Sequence, residues 1–503
     1  MRKKNRKRWR RVLLVLLAVF LLLAWFLGKP AVLWTKAWWL DRPVVETLPP
    51  GQADDASRLN RTMVAEVWSI PSDPAAAEEQ LRALLRRARE ARLPVAIAGA
   101  RHSMGGHTIA PGGIVLNMLP FNRLAWNPQM QLLTVGAGAR WSEIVPYLDA
   151  RGLSVAVMQS NNDFSVGGSL SVNCHGWQHN RAPIAGTVEA LRVMKPDGTI
   201  VRCSRTENAE LFSLVLGGYG LFGIILDAEL RVVPNERYRP VITIFPADQY
   251  AVRYAQTVTS DEHVGMAYGR LCVVPGENTF LREAVLTTFR RDPSPTGELP
   301  ALISPGYAAL RRQVYRAQIG SDAGKEVRWN TEKQVSEQVA RRRFSRNQLL
   351  HEPSVVYREQ NADRTDILHE YFIPPAQVAA FLEKARAIIP RHGLDLLNVT
   401  VRHVREDKDT FLRYADQEMF AFVMLFNQER TVEADHHMET LTRELIDAAL
   451  ACGGRYYLPY RLHATPEQFH RAYPQADAFF THKRRYDPDG LFQNQFYTKY
   501  HQP

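Results

Sequence analysis

The chain has 503 residues, of which 46% are hydrophobic and 23% are charged, as in an ordinary globular protein with two domains. The formal net charge of +11 does not indicate a nucleic-acid partner, because residues 1–11 hold eight cations and no acid and the rest of the chain is close to neutral. The four cysteines include no CxxC pair, so neither a disulfide framework nor a zinc site is indicated.

The first predicted element is an apolar helix that follows this basic arm. Residues 12–28 hold no charge and would span about 25 Å as a helix, enough for a thin bilayer. A cleaved signal peptide is the alternative, but the run ends in Ala24-Trp-Phe-Leu-Gly-Lys-Pro30, a poor cleavage site. We predict a cytoplasmic arm at 1–11, a transmembrane anchor at 12–28 and a linker at 29–59. The positive-inside rule then predicts a periplasmic body on the inner membrane of a Gram-negative cell.

The body begins with alternating helices and strands. Residues 75–92 repeat Ala, Leu and Arg at helical spacing and precede an apolar strand at 93–98. Further strands are predicted at 113–118, 132–136, 153–158, 191–194 and 224–233, helices at 141–150 and 209–216, and turns at Asn127-Pro128 and Asp197-Gly198. Residues 60–235 are therefore predicted to form an α+β domain.

Residues 236–454 are poorer in glycine motifs. Helices are predicted at 375–389 and 432–452, and a long strand at 419–426. The basic stretch 311–346 is interpreted as a solvated helix face without a function. Residues 455–503 return to aromatic and turn-rich sequence.

Two glycine-containing loops carry most of the chemical information. They are Gly99-Ala-Arg-His-Ser-Met-Gly-Gly106 and Gly167-Gly-Ser-Leu-Ser-Val-Asn-Cys-His-Gly176, and each follows a predicted strand. Glycine lets a backbone approach a ligand closely, and successive free N–H groups bind a phosphate. Two such loops suit a dinucleotide.

Two other motifs are set aside. Gly218-Tyr-Gly-Leu-Phe-Gly223 matches G-x-G-x-x-G, but it lies after a predicted helix and before a strand, the reverse of the Rossmann order. We interpret it as a tight helix-to-strand turn. The pairs His102/His107 and His175/His179 do not predict a metal site, because glycines argue against helices there and only Cys174 adds a nearby ligand.

Five motifs resemble those of the vanillyl-alcohol-oxidase-type (PCMH-type) FAD flavoproteins. They are the two glycine-containing loops, the Asp197-Gly198 turn, residues 217–230 and the closing Lys483-Arg-Arg-Tyr-Asp-Pro-Asp-Gly-Leu-Phe-Gln-Asn494. Within that superfamily the chain is similar to the sugar-lactone and alditol oxidases and to the decaprenylphosphoryl-ribose oxidases. The resemblance implies an α+β fold with a two-subdomain FAD-binding domain at 60–235. It also implies an α+β substrate (cap) domain at 236–454 and a C-terminal segment at 455–503 that completes the FAD site.

The resemblance also implies cofactor-binding residues. Ile225 would lie beside the adenine and Tyr457 would contact the flavin. The first loop would bind the pyrophosphate through Gly99, Ala100, Arg101, His102, Ser103, Met104 and Gly105. The second would line the phosphate, ribityl and ring region through Val166, Gly167, Gly168, Ser171, Asn173, His175 and Gly176.

His102 has a further implied role. In the alditol oxidases an Arg-His-Ser triplet supplies the histidine that bonds covalently to the flavin 8α-methyl group, and Arg101-His102-Ser103 matches it. The reaction needs a neutral imidazole as nucleophile. The resemblance thus implies FAD bound covalently through His102, and a histidine that only hydrogen-bonds within the loop is the alternative.

The substrate side departs from the relatives, which carry a Glu-x-Arg pair and a C-terminal lysine near the flavin. This chain has Thr400-Val-Arg402 and Pro459-Tyr460-Arg461. Arg402 would stabilise the anionic reduced ring, and Tyr460, Arg461 or His463 would accept the hydroxyl proton. A structural ion pair for Arg402 and a core position for Tyr460 are the alternatives.

The expected function is oxidation of a hydroxyl group of a sugar, polyol, aldonolactone or lipid-linked sugar by hydride transfer to flavin N5. Oxygen or a membrane quinone would accept the electrons. A flavin-dependent double-bond reductase of the sterol Δ24-reductase type and a catalytically silent, membrane-anchored scaffold are the alternatives. The expected partners are a small-molecule or lipid-linked substrate and the membrane, and no nucleic acid.

Overall fold

The computed structural model describes Thr35, Asp41 and residues 48–292, 299–303 and 308–501. The predicted arm at 1–11 and anchor at 12–28 lie outside the described residues. Within these ranges, no helix is both long enough and apolar enough to cross a membrane.

The N-terminal body starts with a three-stranded parallel sheet. Strands Glu66–Ser69 and Val95–Ala98 both pair with the central strand Ile114–Asn117. Asp73 caps the N-terminus of helix Pro74–Glu90, and its carboxylate accepts the Ala76 N–H. Its apolar stripe packs against the sheet and consists of Ala77, Leu81, Leu84, Leu85 and Ala88.

A six-stranded sheet follows in the chain. Its strands are antiparallel and run in the order Ile200–Ser204, Val188–Met194, Ile224–Pro234, Leu132–Gly136 and Leu124–Asn127, with Leu153–Val155 on the far end of Ile224–Pro234. The predicted turns at Asn127-Pro128 and Asp197-Gly198 are confirmed, because each joins two paired strands. The Gly218–Gly223 motif connects helix Ala209–Val215 to strand Ile224–Pro234, so the helix-to-strand turn is confirmed as well.

The middle of the chain forms an eight-stranded antiparallel sheet. Helices Val378–His392 and Val432–Ala451 pack into its core, and the mixed helix and sheet architecture predicted for the chain is confirmed. The strand order is Phe344–Ser345, Arg237–Pro246, Glu283–Arg291, Val264–Leu271, Asp395–Val404, Met419–Glu429, Arg364–Ile373 and Arg455–Tyr456.

The interpretation of residues 311–346 as a solvated helix face is wrong for part of the stretch, because several of its cations are buried. The stretch forms helices Ala308–Arg316 and Asp322–Ala340, and the side chains of Arg312 and Arg316 are buried. Arg312 pairs with Asp41 and Arg316 with Asp366. Carboxylates from distant segments neutralise these cations, and local sequence cannot show such pairing.

The C-terminal segment returns to the N-terminal body. The Val95 N–H donates to Leu491 O at 2.8 Å, and Val95 forms an isolated parallel bridge with Phe492. Strands Gln52–Ala53 and Thr62–Met63 pair as a short ribbon. The remaining α-helices are Trp141–Asp149, Val166–Ser171, Tyr250–Tyr254, Arg346–Leu350, Pro466–Ala472, Ala476–Tyr486 and Gln495–Tyr500.

Candidate active site

One cavity of about 460 Å³ lies between the two glycine-containing loops and one face of the eight-stranded sheet. The loops form one wall, and side chains from strands Arg364–Ile373 and Asp395–Val404 form part of the opposite wall. Its size lies within the usual range for cofactor and substrate pockets. The cavity can therefore hold a ligand in contact with both domains.

The first loop presents free backbone amides to the cavity. Its Met104 N–H donates to Pro459 O at 2.8 Å, which ties the loop to the C-terminal segment. Among the described residues, the N–H groups of Arg101, His102 and Ser103 make no hydrogen bond. Unpaired amides of this kind form an anion-binding concavity, so the loop fits a phosphate.

Ser165, which lies just before the second loop, contacts the first loop. The Ala100 N–H donates to Ser165 Oγ at 3.1 Å, and the Gly167 N–H donates to Ala137 O at 2.8 Å. The first bond fixes the two loops against each other, and the second ties the second loop to the end of strand Leu132–Gly136. The predicted cofactor residues that line the cavity are Gly99, Ala100, Arg101, His102, Ser103, Met104, Gly167, Gly168, Ser171, His175, Ile225 and Tyr457.

Four predicted cofactor residues do not line this cavity, and their role stays a prediction. Gly105 faces a separate cavity, and Val166 is fully buried in the core. Asn173 turns its amide to Asp407, to which it donates at 2.9 Å. Gly176 packs against the backbone of a neighbouring segment. Val166, Asn173 and Gly176 shape the second loop from behind.

His102 is held flat against an aromatic ring. Its imidazole stacks on Phe164 with ring centroids 3.9 Å apart, and its Nε2 lies 3.8 Å from the Asp163 carboxylate. Burial lowers the pKa of His102, which keeps the imidazole neutral near pH 7. The ring is thus fixed in position and in the protonation state that a nucleophile requires.

Several buried polar atoms on the loop side of the cavity have no partner among the described residues. They are Ser103 Oγ, Thr108 Oγ1, Ser160 Oγ and His175 Nδ1. A buried polar atom without a hydrogen bond costs about 1–3 kcal/mol, so these atoms indicate a polar ligand. The phosphates, ribityl hydroxyls and ring nitrogens of FAD would supply the missing partners.

The opposite wall presents a row of side chains from four neighbouring strands. Thr400 pairs with Arg270 on one side and with Val423 on the other, and Val423 pairs in turn with Glu370. All four residues line the cavity. Paired residues of adjacent strands point to the same face of a sheet, which is how residues distant in sequence meet here.

Glu370 is the buried carboxylate of this row, with 3% of its surface exposed. His175 Nε2 lies 2.5 Å from its Oε1, and the Tyr460 hydroxyl donates to its Oε2 at 3.0 Å. Burial acts to raise the pKa of Glu370, but His175, Arg402 and the Tyr460 hydroxyl outweigh it and hold the pKa below its usual value. The carboxylate is therefore ionised at neutral pH.

Arg402 and Tyr457 complete the cavity around this carboxylate. Arg402 lies in no ion pair within the described part of the chain, and its buried Nε has no partner there. Its charge is thus available to a ligand. Tyr457 donates its hydroxyl to Val172 O at 2.7 Å, so its ring is fixed against the second loop.

Arg461 and His463 do not reach this cavity. They line a separate cavity of about 310 Å³ on the other side of the first loop. Arg461 pairs with Asp435 and donates to Met104 O at 3.3 Å. This placement corrects the prediction that either residue accepts the hydroxyl proton, and of the three candidates only Tyr460 lies at the main cavity.

Two contributions to the cavity are not among the residues that the sequence analysis predicts. The first is Glu370, although a charged residue inside the apolar run Leu368-His-Glu-Tyr-Phe-Ile373 was a usable signal. The second is the turn after helix Ala209–Val215, where Tyr219, Gly220 and Gly223 line the loop side. The motif was recognised as a turn, but its position beside the cavity follows only from the tertiary fold.

Comparison with known proteins identifies the family. Residues 75–204 match the FAD binding domain family, and residues 228–500, more than half of the chain, match the D-arabinono-1,4-lactone oxidase family. The chain belongs to the D-arabinono-1,4-lactone oxidase family. The predicted PCMH-type FAD-binding domain and its cofactor FAD are confirmed.

Individual relatives align mainly over shorter segments. L-gulonolactone oxidase of Mus musculus is 30% identical over 169 residues, which are 33% of this chain and 38% of that protein. D-arabinono-1,4-lactone oxidase of Yarrowia lipolytica is 31% identical over 182 residues, 35% of this chain and 34% of that protein. Cytokinin dehydrogenase 2 of Arabidopsis thaliana is 34% identical over 137 residues, 27% of each chain. In these alignments this chain spans about a third of the length of each relative.

Proposed function

We propose that the protein is an FAD-dependent oxidoreductase that oxidises a hydroxyl-bearing carbon of a sugar, polyol, aldonolactone or lipid-linked sugar. The observation that carries the proposal is the cavity of about 460 Å³ in which the two loops face Arg402, Tyr460 and Glu370. The lactone oxidases among the relatives support a sugar-type substrate.

The chain's own residues have separable tasks in this reaction. Bound FAD supplies the acceptor for the hydride that leaves the carbinol carbon. The first loop holds the pyrophosphate through the amides of Arg101, His102 and Ser103. Arg402 stabilises negative charge that develops in the cavity, and the Tyr460 hydroxyl contacts the substrate oxygen and moves its proton.

We further propose that FAD is covalently linked through His102, since the stacked, neutral imidazole faces the cavity. The test is denaturing precipitation of the purified protein followed by absorption spectra of pellet and supernatant. Flavin is expected in the pellet for the wild type and in the supernatant for His102→Ala. Wild-type flavin in the supernatant contradicts the link, and flavin in neither fraction of the wild type contradicts FAD binding by the purified protein.

The substrate class is tested by anaerobic titration of the holoenzyme. Sugars, polyols, aldonolactones and lipid-linked sugars are added in turn, and at least one is expected to bleach the flavin. Bleaching by NADPH and by none of these compounds would favour the double-bond reductase. No bleaching by any of them would favour a silent scaffold. Reoxidation by air or by a quinone analogue then identifies the electron acceptor.

We also propose that residues 12–28 anchor the protein in the inner membrane with the body in the periplasm. Asp41, which follows this segment, is buried against Arg312 of helix Ala308–Arg316, and Arg311 of the same helix lines the cavity. This contact supports a substrate entrance near the membrane. The full chain is expected in the membrane fraction after an alkaline wash, and a variant without residues 1–28 in the supernatant.

A further inference from the structure

Glu370 differs from the other carboxylates on the cavity wall. Glu352 pairs with Arg311, and Glu359 and Asp366 both pair with Arg316. Among the described residues, Glu370 has no arginine or lysine partner, and its one ion-pair contact is His175. An arginine bonded to a carboxylate occupies its oxygens with donors and cannot relay a proton to it, because the guanidinium stays protonated. Among the described residues, Glu370 is the lining carboxylate whose oxygens contact no guanidinium: its Oε2 accepts from the Tyr460 hydroxyl, and Arg402 acts on it only from a longer distance by lowering its pKa.

The contacts of Glu370 connect it to the cavity. It is nearly inaccessible itself, but the Tyr460 hydroxyl that donates to its Oε2 belongs to a partly exposed side chain that lines the cavity. The phenolic oxygen has a lone pair left to accept a second hydrogen bond. A substrate hydroxyl can therefore bond to Tyr460 while Tyr460 bonds to Glu370.

We propose that Glu370 is the terminal proton acceptor of the oxidation and that Tyr460 relays the proton to it. The inference rests on the proposed function. In the step, the substrate O–H bond breaks and its proton passes to the Tyr460 oxygen, while the phenolic proton passes to Glu370 Oε2. As the carbinol C–H bond breaks and a carbonyl forms, the hydride would pass to FAD held by the two loops. The proton on Glu370 returns to solvent after the product leaves.

The groups around Tyr460 and Glu370 explain why Tyr460 relays the proton and Glu370 accepts it. Burial raises the pKa of Tyr460 well above its usual value, so the phenol cannot serve as a base by ionising, and it passes a proton only as it receives one. The titratable and charged groups that act on Glu370 are His175 of the second loop, Arg402 of the sheet, Tyr414, and Tyr457, Tyr460 and Tyr473 of the C-terminal segment. His175 holds Glu370 in place through Nε2.

The variants are Glu370→Gln, Tyr460→Phe and the control Glu418→Gln. Glu418, which directly precedes strand Met419–Glu429, also pairs with a buried histidine, His403, at 2.7 Å, and neither residue lines the cavity. The first measurement is the rate of flavin bleaching by a substrate found in the titration, with anaerobic holoenzyme at several pH values. Glu370→Gln is expected to lower the limiting rate about 10²–10⁴-fold, the range for loss of a general base. Tyr460→Phe is expected to lower it at least about tenfold.

The second measurement is independent of rate. Infrared difference spectra on reduction by substrate are expected to show a new carboxylic-acid band in the wild type and in Glu418→Gln, and no such band in Glu370→Gln. Flavin content and melting temperature report whether each variant folds. The spectral shift caused by a non-reacting substrate analogue reports whether it binds.

The outcomes separate this proposal from the proposed function. If no hydroxyl compound bleaches the wild-type flavin, the proposed function fails first and the proton acceptor with it. If the wild type is bleached and Glu370→Gln keeps its rate within about threefold, only the Glu370 assignment is overturned. If Glu370→Gln does not retain flavin, Tyr460→Phe decides: an unchanged rate overturns the relay, and a reduced rate with intact flavin and analogue binding supports it.

Discussion

At the scale of single residues, close packing limits what the glycines of the first loop can be. A Cβ atom on Gly99 would collide with Ser165 Oγ, the same oxygen that accepts the Ala100 N–H. The absence of a side chain at 99 thus lets the two loops bond to each other. The loop sequence predicts that Gly99 lets a phosphate approach the backbone closely, and the structure adds that it lets the two loops contact each other.

The substitution Gly99→Ala is expected to weaken FAD retention and to destabilise the holoenzyme by about 1–3 kcal/mol, the usual cost of overpacking. Flavin content per protein and the melting temperature measure both effects. The double variant Gly99→Ala/Ser165→Gly removes the colliding hydroxyl and should recover part of the lost flavin. Full flavin retention in the single variant would show that the loops can separate without consequence.

At the scale of elements, the sequence predicts strands that consist largely of apolar residues, but not strands in which apolar and polar residues are mixed. The strand predicted at 132–136 matches Leu132–Gly136, and that predicted at 419–426 lies within Met419–Glu429, because both consist largely of buried apolar residues. Strands Val264–Leu271 and Arg364–Ile373 were missed. Each places polar or charged side chains such as Arg270 and Glu370 on the cavity wall, which breaks the apolar pattern that predicts a buried strand.

The C-terminal segment is fixed by one buried ion pair. The side chains of Lys483 and Asp487 are both fully buried, and the Asp487 carboxylate also accepts the N–H groups of Leu491 and Phe492. Asp487→Asn should destabilise the protein by about 3–5 kcal/mol, because it leaves a buried ammonium without its counter-charge. Denaturant unfolding measures the loss.

The matched control is Asp489→Asn, two residues away. Asp489 pairs with Arg89 at the surface, where 58% of the Asp489 side chain is exposed, and exposed pairs contribute less than about 1 kcal/mol. Equal losses in the two variants would show that burial is not what makes the Lys483 pair important.

Helix Ala308–Arg316 depends on a residue far away in the chain. Asp41 binds Arg312 and lies near Arg316, and burial raises the pKa of Asp41 despite both arginines. Asp41→Asn should cost about 3 kcal/mol, because the buried Arg312 loses its only carboxylate partner among the described residues. Melting temperatures test this, with Glu444→Gln in the exposed Arg391 pair as the control. An unchanged melting temperature would mean that the linker does not hold this helix.

At the scale of the whole molecule, the site is assembled from segments that sequence spacing does not relate. The first loop, the second loop, the sheet and the C-terminal segment each contribute to one cavity. Family resemblance located the loops because their chemistry is local. It could not locate Glu370, whose position beside His175 and Tyr460 exists only after strands Arg364–Ile373 and Met419–Glu429 have paired in register.

Buried neutral histidines make the stability of the whole protein depend on pH. Burial lowers the pKa of His369 to about 3, and the ring lies against Tyr371 and Thr442, outside the cavity lining. Because the folded pKa lies below the unfolded value near 6.5, the native state binds fewer protons, and stability rises with pH. The contribution is complete above about pH 6.5 and is lost as the pH falls toward 3.

At pH 5 this one group should cost about 2 kcal/mol relative to pH 7. Between pH 7 and pH 4 the unfolding free energy should therefore fall less steeply in His369→Gln than in the wild type. The difference between the two slopes should correspond to about one proton taken up on unfolding. His436→Gln is the control, since 77% of that side chain is exposed, and it should keep the wild-type slope. If the gap between His369→Gln and the wild type is as large at pH 5 as at pH 7, the imidazole is not held neutral by burial. The acid sensitivity must then originate in other groups.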